Sequence, residues 1–411
     1  MKSTTGMWRR ATRLFLTGQQ LYAQTGSVRP VARYYLRFLR RRSPLLLSHV
    51  RAAVDFRHSQ YLPNEVRPRV AVLVAGGLGD YIVIARFLRD WHAAVEEFAF
   101  DIFASVPPLA KWVFSTLPGY RSCQPDTLFG RAKKNYDLSV SIHQSIAVDS
   151  EGTGQEKLQR FPRLARSCNQ ILKYSKENRV FIENQPWMDN FLARKAVFAN
   201  RSRRNFLHHI AGVDFGGDRL SLPVKPVEIP EPYITIHNGF DPGFIISGSR
   251  ATKCYPHFSD VVATIKQRHP DVTVVQIGTD TSEPMAGVDR NLIGRTSLEE
   301  VAGLIMNARL HIDNEGGLVH LASCFGVKSC VVFGPTPADY FGYDRNINIP
   351  PPICGGCWWI NRTWMDRCPR LFEAPICMTQ QDPTRIASLV VAELARTSGD
   401  LTTRRVSGGT W

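Results

Sequence analysis

The chain has 411 residues, more than one ordinary compact domain holds at about 150 residues each, so two or three domains are expected. Hydrophobic residues at 44% and charged residues at 21% describe a globular protein and exclude collagen-like, coiled-coil and wholly disordered chains. The formal charge of +15 is lopsided: residues 1–51 carry eleven Lys or Arg and no acid, while the rest carries 40 basic against 36 acidic residues.

No apolar stretch approaches the ~20 residues needed to span a bilayer, and Leu14-Phe15-Leu16 is too short for the apolar core of a signal peptide. A cytoplasmic chain is the expectation. Residues 1–66 read as a basic helical extension. Met7, Trp8, Ala11, Leu14, Phe15, Leu21 and Tyr22 recur at helical spacing, with Arg9, Arg10 and Arg13 off that face. A second helix opens at Pro30, and a third at Ser43-Pro44, where an N-cap precedes proline. Two readings stay open: a solvated cap packed on the body, or a surface drawn to anionic membrane or an anionic acceptor. Nucleic acid is disfavoured, because no nucleic-acid module stands beside the basic stretch.

From Arg69 the pattern changes to short apolar strands alternating with helices. Strands are expected over 70–74, 100–104 and 138–142, and helices after Asp80 to about Phe98, over 107–117 and over 186–210. Residues 218–232 carry Pro223, Pro226, Pro230 and Pro232 and read as a linker. A second series follows, with strands over 233–236, 272–277, 310–312 and 329–333 and helices over 258–268, 298–307 and 318–325. The fold class is α/β: two Rossmann-like domains facing a cleft, with the helical extension in front. The expected division is 1–66 extension, 67–222 first lobe, 223–390 second lobe, and 391–411 C-terminal tail.

Two strand-to-helix loops carry the chemistry. Gly76, Gly77 and Gly79 bring a backbone turn close to the free N–H groups of a helix, which suits an anion. The spacing is not that of a dinucleotide fingerprint and lacks a P-loop lysine. Asp80 on the first helical turn reads either as a structural cap or as a catalytic acid. The second loop, Glu315-Gly316-Gly317 followed by His320, combines an acid, paired glycines and a histidine at a helix start. It suits a phosphate and sugar site. Lys253 lies in the loop after the first strand of that lobe, where it either neutralises a phosphate or is simply solvated.

Nine cysteines leave one unpaired in any full disulfide scheme. Cys354, Cys357, Cys368 and Cys377 cluster, with one tight pair. They read as a structural zinc or iron site, or as free thiols or a redox pair. Cys123, Cys168, Cys254, Cys324 and Cys330 read as plain thiols, and His143, His208, His209, His237 and His257 show no ligand spacing.

Several segments in order resemble glycosyltransferase family 9, the ADP-heptose heptosyltransferases. Gly76-x-x-Gly79-Asp80 resembles its G-x-L-G-D, and Lys253-Cys254-Tyr255-Pro256 its K-x-W-P. Residues 292–298 resemble D-L-x-G-x-T-S-L. Glu315 to Ala322 resembles D-S-G-x-x-H-L-A, followed by the F-G-P-T at Phe333 to Thr336. The likeness spans roughly residues 69–390. It implies a GT-B fold, an acceptor in the first lobe, an ADP-heptose donor in the second, and inverting transfer that needs no metal. Carried over by position, Asp80 is the general base and Lys253 binds donor phosphate with Ser249 nearby. Asp280 meets the nucleotide or ribose, and Gly316, Gly317 and His320 line the diphosphate and sugar. Glu315 and Gly316 depart from the family's Asp and Ser or Thr.

The implied acceptor is a saccharide of lipopolysaccharide type; the nearest alternative is Ser or Thr of a surface protein such as an autotransporter. Some members that modify autotransporters also carry an N-terminal extension and a four-cysteine metal site. The alternative of another class is a non-catalytic nucleotide-sugar or nucleic-acid-binding protein, against which Asp80, Lys253 and His320 stand together. The resemblance places the protein in a bacterial cytoplasm, and the basic helices allow peripheral contact with the inner membrane.

Overall fold

The structure, a computed structural model, describes residues 27–29, 31–32, 35, 66–149, 158–239 and 251–406, the last ten as backbone only. Nearly all of the 1–66 extension, Ser249 and residues 407–411 lie outside the described residues.

The first lobe opens with β1 (Arg69–Val74), α1 (Leu78–Ala94), β2 (Ala99–Ala104), α2 (Pro107–Phe114) and β3 (Tyr120–Pro125). A short α3 (Phe129–Ala132), β4 (Leu138–Ile142) and β5 (Ile146–Val148) complete the sheet, whose order is β3-β2-β1-β4-β5. The first four strands are parallel and β5 runs against β4. Helices cover both faces, so β1 and β2 are near-continuous apolar runs instead of alternating ones. A helical region follows: α4 (Pro162–Glu177), α5 (Arg179–Glu183), α6 (Asp189–Phe198) and α7 (Phe206–Ala211).

The 186–210 helix expected from periodicity is therefore two helices. Asn200 takes a left-handed φ of 55° after α6, and Asn205 accepts from the Ser202 N–H just before α7. Apolar spacing is blind to such a break. Likewise α1 stops at Ala94, and Phe98 is a buried residue immediately before β2.

Residues 218–232 have no regular structure and lead into the second lobe. That lobe contains β6 (Tyr233–Ile236), α8 (Phe258–Arg268), β7 (Thr273–Gln276), β8 (Arg290–Asn291), α9 (Leu298–Asn307) and β9 (His311–Asn314). It continues with α10 (Gly317–Phe325), β10 (Ser329–Val332), α11 (Ala338–Phe341), β11 (Ile347–Ile349), α12 (Ile376–Thr379) and α13 (Pro383–Val406). The sheet order is β11-β10-β9-β6-β7-β8, all parallel. α9 starts on a capping box in which Ser297 and Glu300 exchange hydrogen bonds. α13 runs through residue 391, where a separate tail was expected.

The lobes share one apolar core, which reaches from Val70 and Phe87 to Leu321, Tyr343 and Trp358. α1 and α10 meet across it. Fully buried Arg86 on α1 donates to Tyr343 Oη (2.8 Å), the His320 carbonyl (3.1 Å) and Ser323 Oγ (2.7 Å). Among the described residues no helix is long and apolar enough to cross a membrane.

Candidate active site

In a parallel α/β sheet, ligands bind beyond the carboxyl ends of strands where the strand order reverses. In the first sheet that point lies between β1 and β4, and both adjoining loops supply the site. The loop after β1 turns at Gly76 (φ 110°), where any Cβ would lie 2.2 Å from Asp80 Oδ2. Asp80 Oδ2 accepts the Gly77 N–H at 3.2 Å, so the structural cap is real. Its other oxygen does something else. Oδ1 accepts Arg203 Nη2 at 2.8 Å and Gln144 Nε2, from the loop after β4, at 3.1 Å. Burial opposes ionisation of Asp80, but Arg203, His143 and the Gly77 N–H outweigh it and hold the carboxyl below the usual range. The side chain is 25% exposed, so it stays reachable.

The second lobe meets this loop directly. A Cβ at Gly79 would lie 2.6 Å from His320 Cδ2, so only glycine lets α1 and α10 approach end to end. His320 is buried, and burial and then Arg86 lower its pKa to about 3. It is neutral. Its Nδ1 lies 2.6 Å from Tyr343 Oη, which also accepts from Arg86. Glu315 is buried at the end of β9, with Lys253 Nζ 3.6 Å from Oε2. Burial pushes its carboxyl up against the pull of Lys253, and the Asp80 charge adds to the rise.

Asp80, Gly76, Gly77, Gly79, Lys253, Glu315, Gly316, Gly317 and His320 thus gather where the lobes meet. Asp280 is exposed on the loop after β7. Gly316 is extended (φ 179°), a conformation open to any residue, so the missing hydroxyl there is no backbone requirement. Sequence reasoning missed Arg203, Gln144, Arg86, Tyr343 and Asp189. Arg203 sits in the run Arg201-Ser202-Arg203-Arg204, which looks like any solvated basic turn, yet its side chain is 1% exposed.

The four-cysteine loop straps the two lobes. Asn190 on α6 donates to the carbonyls of Gly356 (2.9 Å) and Trp358 (2.6 Å). At the other end, Thr252 beside Lys253 donates its N–H to the Met365 carbonyl (2.8 Å) and its hydroxyl to that of Trp364 (2.7 Å). Cys354, Gly355 and Gly356 have φ of 62°, 105° and 66°, which folds the tight pair into a knuckle. Cys354, Cys357 and Cys368 all act electrostatically on Cys377. Burial pushes Cys357 up to about 11 and Cys377 up to about 12. Burial also opposes the Cys354 thiolate, but Arg370 and the Gly355 N–H prevail and lower it. Among the described residues no three or more His, Cys, Asp or Glu side chains stand at metal-ligating geometry. A cavity of about 440 Å³ opens at this loop, lined by Cys354, Cys357, Ile360, Asn361 and Arg370, and its lining includes none of the residues around Asp80.

The family model described as glycosyltransferase family 9 (heptosyltransferase) matches residues 240–349. No curated protein matches the chain by sequence. Among solved structures, the chain is similar to the iron-containing dodecameric glycosyltransferase TibC from enterotoxigenic E. coli H10407, at 16% identity and TM-score 0.54. That alignment covers 82% of this chain and 78% of the other. TibC in complex with ADP-D-β-D-heptose matches at 17% identity, with the same TM-score of 0.54 and the same coverage of 82% and 78%. E. coli ADP-heptose LPS heptosyltransferase II is 14% identical with TM-score 0.46, over 80% of this chain and 99% of that one. The family-model match lies within the second lobe, and the likeness to the solved structures shows a two-lobed GT-B-type fold.

Proposed function

We propose that the chain is an inverting transferase that moves heptose from ADP-heptose to a hydroxyl of a lipopolysaccharide-type saccharide, with Asp80 as general base. The observation that carries this reading is the position of Asp80: an ionised, reachable carboxylate on the first lobe's glycine turn, directly opposite Lys253, Glu315 and His320. The acceptor oxygen attacks the anomeric carbon from the face opposite ADP, Asp80 takes the hydroxyl proton, and the C–O bond to ADP breaks with its electron pair leaving on phosphate. One displacement inverts the centre. Oδ1 is occupied by Arg203 and Gln144, so the proton goes to Oδ2, whose one bond is the long Gly77 contact. Lys253 and the N-terminus of α10 supply the positive potential that the departing diphosphate needs.

The test is intact-mass analysis of candidate acceptors incubated with ADP-heptose, expecting a gain of one heptose unit on a core saccharide. A gain on a protein Ser or Thr supports the second reading, which the basic extension and the four-cysteine loop favour. Asp80→Asn should retain ADP binding and lose at least ~10²-fold in turnover, the usual worth of a general base. Near wild-type turnover would remove Asp80 from the chemistry.

The thiols of Cys354, Cys357, Cys368 and Cys377 have the donor chemistry of a tetrahedral zinc or iron site. We propose that they hold one structural ion per chain, pinning the strap between the lobes, which would require the four side chains to draw closer together than they stand here. Elemental analysis of protein purified without added metal checks it, and absence of stoichiometric zinc or iron would refute it.

A further inference from the structure

In the second sheet the strand order reverses between β6 and β9, and one side-chain pair bridges that point. His237 follows β6 directly, and its Nδ1 lies 2.9 Å from both carboxylate oxygens of Asp313 in β9. Asp313 has no exposure, and its second neighbour is His311, Nε2 at 3.4 Å, itself held by Thr235 Oγ1 at 3.0 Å. A carboxylate with no access to water needs donors or a cation beside it, and these two imidazoles are what the fold provides. They differ in one respect: His311 is fully buried, whereas the His237 side chain is 16% exposed.

The turn that carries His237 is tied to both donor-side loops. Asn238 Nδ2 donates to the Tyr255 carbonyl (2.8 Å), two residues past Lys253. Asn314 Nδ2, beside Glu315, donates to the Gly239 carbonyl (3.3 Å). A Cβ at position 239 would lie 2.1 Å from His237 Nε2, so glycine there leaves room for that edge of the ring. With Nδ1 committed to Asp313, Nε2 is the ring's remaining polar atom, and it makes no hydrogen bond among the described residues.

We infer that His237, carrying a proton on each ring nitrogen between the Asp313 carboxylate and the bound anion, is a donor-binding residue whose Nε2–H contacts the diphosphate of the nucleotide sugar, and that Asp313 is the positioning residue that fixes the ring for this contact. The inference rests on the nucleotide-sugar reading above and adds a residue that motif spacing passed over. The pair sits at the switch point, where an anion can reach the carboxyl ends of β6 and β9 together. A donor held by a buried acid on one nitrogen presents its other N–H in a fixed direction at low entropic cost.

Two substitutions separate the ring's nitrogens. His237→Asn keeps a donor near the Nδ1 position for Asp313 and loses the Nε2 contact, whereas His237→Gln places an amide N–H near Nε2. Isothermal titration of the full chain with ADP and with adenosine reads the difference. The expected result is ADP affinity at least about tenfold weaker in His237→Asn, within about threefold of wild type in His237→Gln, and adenosine binding equal in all three. Asp313→Asn should weaken ADP and spare adenosine in the same way. Unchanged ADP affinity in His237→Asn, or equal loss of ADP and adenosine, overturns the inference while leaving the transferase reading intact. Failure of the wild-type chain to bind ADP overturns the nucleotide-sugar reading and this inference with it.

Discussion

Asp189 opens α6 with 1% exposure, and its carboxylate shares the Arg203 cation with Asp80. Burial raises its pKa to about 8, with Arg203 working against the rise and the Asp80 charge adding to it. The folded chain therefore holds a proton on Asp189 that the unfolded chain, with an ordinary carboxyl near 3.8, releases. The native state binds more protons between those two values, so this contribution to stability is complete below about pH 4 and lost as pH rises through about 8. Asp189→Asn removes the titration. Its melting temperature should fall less than that of wild type between pH 5 and 8.5, and parallel curves would show that Asp189 does not titrate there. Arg203 makes the opposite mark on Asp80. As the proposed general base, Asp80 must be ionised to act, so activity should fall as pH drops through its pKa, which Arg203 helps keep low. In Arg203→Met the acid limb of the kcat/KM profile should move to higher pH; an unmoved limb would mean that another group sets it.

At the scale of elements, the joint between α1 and α10 depends on one guanidinium. Arg86 binds Tyr343, the His320 carbonyl and Ser323 with no exposure, and Asp218 lies 3.6 Å from Nη1. Arg86→Met should cost about 3–5 kcal/mol, as for breaking a buried charged network, and should open the 218–232 linker to proteolysis. Arg86→Lys should rescue little, because a point charge cannot reproduce the fork that spans three acceptors. A melting temperature within about 2 °C of wild type would show that the joint rests on apolar packing instead. Such joints were invisible in the sequence. Strands over 138–142 and 233–236 and helices over 258–268 and 298–307 were legible to the residue, since buried strands and amphipathic helices write their own periods. The glycine loops singled out Asp80 and His320, the resemblance gave Lys253 its weight, and the structure brings the three together where the lobes meet. Arg203, Gln144 and Tyr343 were not legible, because each acts through a partner more than 20 residues away, and no local pattern encodes that pairing.

For the whole molecule, charge and architecture are separated along the chain. The two lobes and their shared core carry nearly balanced charge, while eleven of the 51 Lys and Arg fall in residues 1–51 with no acid among them. Long-range attraction to an anionic surface must therefore come from that segment, which lies almost wholly outside the described residues. The sequence pattern there is the one expected of an amphipathic helix, with Arg9, Arg10 and Arg13 off the spacing shared by Trp8, Leu14 and Phe15. Each Lys or Arg brought near an anionic bilayer contributes about 1 kcal/mol, so four engaged arginines already give an association of about 4 kcal/mol. Screening limits that reach to about 8 Å at physiological salt, which makes the attraction steeply salt-dependent. Full-length protein should co-sediment with vesicles containing anionic lipid at low salt and release as salt rises, whereas a chain beginning at Pro68 should stay in the supernatant throughout. Equal sedimentation of both chains would move the membrane contact to the lobes. Sedimentation of neither would leave residues 1–51 as a cap on the body or a docking surface for another protein, and would separate catalysis from any membrane held by charge.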